Sequence, residues 1–128
     1  MNTDAASFWT EAFGLILQVI SLFPRNARER TKDQEEALLA LSDAYHLTEE
    51  YYSHLERHGR SNDKEWAIAN KWCRVCVLLK KYDATLANRL DLKSCYWRDG
   101  GTWTDEAIKD AGIKLEDLWR EVNVRLIN

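Results

Sequence analysis

Between Pro24, the chain's only proline, and Gly59, no residue breaks a helix. Within that interval Leu38, Leu41, Tyr45, Thr48, Tyr52 and Leu55 alternate in steps of three and four, and Ala37, Ala44 and Tyr51 flank them. This is the period of a helix that buries one face. Thr31 with Gln34 three residues later has the pattern of a capping box, and Gly59 suits the end of a helix. The spacing therefore predicts a helix from Lys32 to His58, about 40 Å long at 1.5 Å per residue.

The flanking segments read the same way. Phe8, Trp9, Phe13, Ile16, Ile20 and Phe23 recur at helical spacing ahead of Pro24, and Leu15, Leu17, Val19 and Leu22 widen the stripe beyond one face. The uncharged part, Ala12 to Phe23, spans about 18 Å of helix against a hydrocarbon core of about 30 Å, and Gln18 and Ser21 interrupt it. A membrane span is not expected. The only charges before this run are Asp4 and Glu11, whereas a signal peptide carries cations there. The first helix is read as a core element. Asn62 with Glu65 signals the cap of a third helix reaching about Lys81, with Trp66, Ala69, Trp72, Cys73, Cys76 and Leu79 on its inner face. Ile68, Val75, Leu78 and Tyr82 cover much of its remainder. Asp83 suits the cap of a short helix over 84–90, and the aromatic-rich run 91–104 reads as a loop. Thr104 then caps a short helix ending at Gly112, and a last helix follows from Leu115 to Ile127 with Leu115, Leu118, Trp119, Val122 and Leu126 inward. Nothing pairs as strands, and one proline and five glycines in 128 residues argue against a turn-rich sandwich. The expected fold is all-α: one helical domain over residues 1–128, a mainly antiparallel bundle of three or four principal helices plus one or two short ones.

Charge narrows the function classes. The net charge of −3 excludes a uniformly basic nucleic-acid binder. Three cysteines without a secretory signal point to a reducing cytoplasm. Residues 31–58 carry seven acidic and two basic side chains, whereas residues 61–98 carry four acidic and eight basic. Two neighbouring helices of opposite charge attract across their solvated rims, at a few tenths of a kcal/mol per exposed pair.

Most catalytic chemistries lack their residues. Trp72-Cys73-Arg74-Val75-Cys76 resembles a thioredoxin redox motif, but it lies mid-helix, far from the helix N-terminus that would lower the thiol pKa, and lacks the intervening Gly-Pro. Zinc needs two further ligands; Cys95 offers one, and no second Cys-x-x-Cys or spaced histidine pair completes a tetrahedron. The cysteines are read as core thiols. His46, Glu50, His54 and His58 step by four, yet a 40° drift per step separates the outer histidines by 120°. In His54-Leu55-Glu56-Arg57-His58 the glutamate does not follow the first histidine, as a zincin base must. Asp43 with His46 has the spacing of a di-iron bundle ligand pair, but the second pair is missing. These histidines are expected to face solvent. There is no Gly-x-Ser-x-Gly elbow, no phosphate-cradling glycine loop and no Arg-x(4 to 6)-His signature of HEPN ribonucleases. No catalytic residue, metal or cofactor is assigned.

Two surfaces remain. On the second helix Leu39 and Leu47 lie away from the core stripe beside Asp43, His46, Glu50 and His54, a face suited to a protein partner or to self-association. The alternative is a nucleic-acid or nucleotide surface over 71–103, formed by Lys71, Arg74, Lys80, Lys81, Arg89, Lys93 and Arg98 with Trp97 as a stacking platform. Trp97 and Trp103 are read first as core plugs and only second as recognition residues. The expectation is a non-enzymatic cytoplasmic adaptor, regulatory or assembly subunit acting through protein contacts.

Overall fold

The computed structural model describes residues 4–83 and 105–127. Among the described residues the chain forms four α-helices: α1 (Asp4–Ser21), α2 (Lys32–His58), α3 (Asn62–Leu79) and α4 (Asp105–Leu126), with a single 3-10 turn at Ala27–Glu29. The expected all-α bundle is what forms. Helix α2 packs antiparallel to α3 and lies against α4, while α1 lies against α4. The C-terminal ends of α1 and α4 meet, so this pair runs in one direction and departs from the antiparallel pattern.

Local capping fixes α2 as the sequence predicts. The Thr31 hydroxyl accepts from the Gln34 N–H at 3.1 Å, and the Thr31 N–H donates to the Gln34 side chain at 3.0 Å. At the other end Gly59 adopts φ 77, where a side chain would be strained, and donates its N–H to Leu55. Helix α3 begins differently from its expectation. Ser61 is the cap, accepting from the Lys64 N–H at 3.3 Å, and Glu65 is completely buried. Its carboxylate is drawn inward because it accepts a hydrogen bond from the Tyr51 hydroxyl and a two-pronged bond from Arg60.

That inward turn sets the rotation of α3. Ile68, Trp72, Val75, Cys76 and Leu79 are buried, while Trp66, one residue and 100° past Glu65, is 49% exposed and not the core residue the spacing suggested. Cys76 is a core thiol as expected, but Cys73 is only half-buried. Trp72 occupies the centre of the core, with the Phe13 ring 4.8 Å away. Its indole N–H donates to Thr48 at 3.1 Å, and Thr48 donates in turn to the Ala44 carbonyl at 2.7 Å, so no polar atom of this cluster is stranded.

Helix α1 contributes Phe13, Ile16, Val19 and Ile20 to the core, which is the core role expected of it, and Phe23 just beyond its end joins them while Leu22 points to solvent. No helix among the described residues is long and apolar enough to cross a membrane. Helix α4 runs straight through Gly112, where a break was expected. A helical glycine costs about 1 kcal/mol, less than the burial of Leu115, Leu118 and Val122 on the same helix returns at about 1.5–3 kcal/mol each. The expected short helix at 84–90 and the loop 91–104 lie outside the described residues.

Two buried arginines close the end where α1, α2 and α4 meet. Arg125 of α4 donates from Nε to the Phe23 carbonyl at 3.1 Å and from Nη2 to Ser21 at 3.2 Å, and its Nη1 binds Glu121. Arg30 donates to the Pro24, Arg25 and Arg125 carbonyls and to Glu35. Removing one guanidinium strands several buried acceptors at once. Arg125→Met is expected to lower unfolding free energy by about 3 kcal/mol in urea titration, and Arg125→Lys to recover less than half of it, because a single ammonium cannot reach carbonyls on both sides of the planar fork.

Candidate functional site

The α2–α3 hairpin turns in the short link 59–61, so the acidic stretch of α2 and the basic stretch of α3 lie side by side in opposite directions. Their alignment is visible in two cross-helix ion pairs, Arg74 with Glu36 at 3.0 Å and Lys81 with Asp33. The Lys81 ammonium pKa is raised, chiefly by its hydrogen bond to Asp33. All four side chains are substantially exposed, so these pairs contribute only a few tenths of a kcal/mol each.

The furrow between the helices opens into adjoining clefts. The middle one, of about 410 Å³, is lined by Glu36, Leu39 and Asp43 of α2 and by Asn70, Lys71 and Arg74 of α3. Leu39 is 59% exposed there. Toward the hairpin turn, Leu47 and Glu50 face Asp63, Lys64 and Ala67. Toward the other end, Lys80 and Lys81 face Asp33 and Glu36. Asp43, Glu50, Lys64 and Lys71 are exposed and form no ion pair among the described residues.

The two surfaces read separately from the sequence thus share one face. Leu39 and Asp43 from the first set stand opposite Lys71 and Arg74 from the second, with Leu47 and Glu50 farther along the furrow toward the turn and Lys80 and Lys81 toward its other end. Two members of the first set lie elsewhere. His46 is turned toward α4, its ring 4.9 Å from Trp119, which stacks on Tyr45 at 4.5 Å. His54 is half-buried and not solvent-facing as expected, with its ring between Tyr51 at 6.0 Å and His58 at 5.0 Å. Its pKa is lowered by desolvation first and then by Lys64 and His58. Arg89, Lys93, Trp97 and Arg98 lie outside the described residues. Asp33, Glu36 and Lys64 were missed in the sequence, although the opposite charges of residues 31–58 and 61–98 carried the signal.

Leu47 also differs from its reading. It is half-buried and packs against the core, because Ala67 and Ile68 of α3 come up beside it. Leu39→Glu is therefore expected to change stability by less than about 0.5 kcal/mol, whereas Leu47→Glu costs about 1–3 kcal/mol in chemical denaturation.

The Tyr51–Glu65–Arg60 cluster beneath the hairpin turn has the residue types of acid–base chemistry, yet its groups are occupied with one another. The Tyr51 hydroxyl donates to Glu65 and accepts from the Ser61 N–H at 3.1 Å, while both Glu65 oxygens are held by Arg60. Burial and the Glu65 hydrogen bond raise the Tyr51 pKa, keeping the phenol protonated. This is a structural lock between α2 and α3. The adjacent Tyr52 hydroxyl is buried without a hydrogen-bond partner among the described residues. Tyr51→Phe should cost about 1–3 kcal/mol and Tyr52→Phe should be neutral or stabilising, a contrast that paired thermal melts would resolve.

No family model, curated protein or solved structure matches the chain. Among the described residues no three His, Cys, Asp or Glu side chains converge on a point that could hold a metal.

Proposed function

We propose that this chain is a non-enzymatic helical interaction module, an adaptor, regulatory or assembly subunit, that docks another protein through the α2–α3 face. The observation that carries the reading is Leu39, exposed between a row of acids on α2 and a row of bases on α3. A partner for such a face presents both signs of charge around an apolar contact, which is protein chemistry. The same arrangement disfavours the nucleic-acid alternative. A phosphate backbone approaching Lys71, Arg74, Lys80 and Lys81 also meets Asp33, Glu36 and Asp43, and two of those bases are already neutralised by carboxylates.

Site-specific photo-cross-linking in cells of the native host tests the reading. A photoreactive residue at position 39 should give discrete adducts, and one at the exposed position 120 on α4 should not. Adducts from 120 alone, or none from 39, would overturn it; a steep loss of nucleic acid binding with salt, through Lys71 and Lys80, would replace it with the alternative.

A further inference from the structure

We infer that the occupant of the α2–α3 face is a second copy of this chain, related by a two-fold axis running along the furrow. The inference rests on the docking reading above and specifies its partner. In each protomer Asp43 lies level with Lys71 and Glu50 level with Lys64 across the furrow, because α2 and α3 are antiparallel neighbours. A two-fold axis parallel to the helices carries α2 of one protomer over α3 of the other and leaves every residue at its own height. Asp43 then faces the other protomer's Lys71, and Glu50 faces its Lys64, twice over. The alternative in-plane axis, perpendicular to the helices, lays acid upon acid and base upon base. Only the first arrangement is attractive.

The residues that would pair are among those each monomer leaves without an ion pair among the described residues, whereas Glu36 with Arg74 and Asp33 with Lys81 are internally matched. Leu39 and the outer side of Leu47 supply apolar contact between the charged rows. Asp33 to Glu50 spans about 26 Å of α2 at 1.5 Å per residue, and two helices about 9 Å apart give a face on the order of 500 Å² per protomer. That is below the roughly 800 Å² of a standard interface, so the dimer is weak and reversible. Exposed charges are screened over about 8 Å at physiological ionic strength, so added salt weakens it further.

Sedimentation equilibrium of the full chain, over a roughly hundredfold concentration range at low and high salt, tests the inference. Wild type should dimerise at low salt and dissociate as salt rises. Asp43→Lys and Lys71→Asp should each weaken dimerisation by about tenfold or more, because each places like charges face to face. The combined Asp43→Lys, Lys71→Asp chain should regain affinity to within about threefold of wild type, since the swapped pair re-forms across the axis. Both positions are exposed, and circular dichroism verifies that each variant folds. A wild type that stays monomeric, or a combined variant no better than the singles, overturns the inference. The cross-linking experiment separates the two levels: an adduct at position 39 of mass other than twice the chain ends the self-pairing and leaves the docking reading standing, while no adduct there ends both.

Discussion

The carbonyls that end α1 have no capping residue of their own, and the fold depends on how they are satisfied. The chain closes its last turn through the Leu22 and Phe23 N–H groups, which donate to Val19 and Ile20, but the Ser21 and Phe23 carbonyls lie beyond that closure, and no basic side chain stands in the last turn of α1 to meet them. Arg125 arrives from the far end of the sequence and donates to Ser21 and Phe23. Arg30 then donates to the carbonyl of Arg125 and to two carbonyls of the α1–α2 connection. Because a guanidinium presents five donors in one plane, two side chains tie the end of α1, the start of α2 and the end of α4 together. Once those three are fixed, α2 can lie against α4 on one flank and only its other flank is left for α3.

The register of α3 on that flank is set from inside. Glu65 and Trp72 each reach a named group of α2, the Tyr51 hydroxyl and the Thr48 hydroxyl, and both contacts are buried. A mismatch there leaves a carboxylate or an indole N–H stranded, at a cost of several kcal/mol for the ion. The exposed pairs Glu36–Arg74 and Asp33–Lys81 are worth a few tenths each, so they follow the register and do not determine it. The surface charges of the hairpin are in consequence available for recognition without being needed for folding.

How much of this was legible depends on whether the deciding interaction is local. The bounds of α2 were legible because Thr31, Gln34 and Gly59 act within one turn of the residues they cap. The rotation of α3 was not, because Glu65 is read as a capping residue by its sequence position and is claimed instead by Tyr51, on another helix. Gly112 likewise suggests a break, and tertiary burial along α4 overrides it. The burial of Arg30 and Arg125 was not legible, since nothing nearby in sequence shows that helix ends await them. At the candidate site the members were mostly legible as residues but not as a set. Leu39 and Asp43 were separated from Lys71 and Arg74 until the hairpin placed them in one cleft, and His46 left the group because α4 offers it Trp119.

Segregating charge by helix has a consequence that composition hides. A net charge of −3 describes a nearly neutral protein, yet the α2–α3 face carries its acids and bases in two parallel rows. Mixed charges scattered over a surface attract nothing in particular, and a single-signed surface attracts any counter-ion. Two opposite rows attract only an object whose own rows run at the same spacing and in the matching order, and they repel the same object turned end for end in the plane of the face. Specificity of this kind comes from the repulsive orientations as much as from the attractive one. It needs little buried area, and so it is compatible with a contact that forms and releases readily.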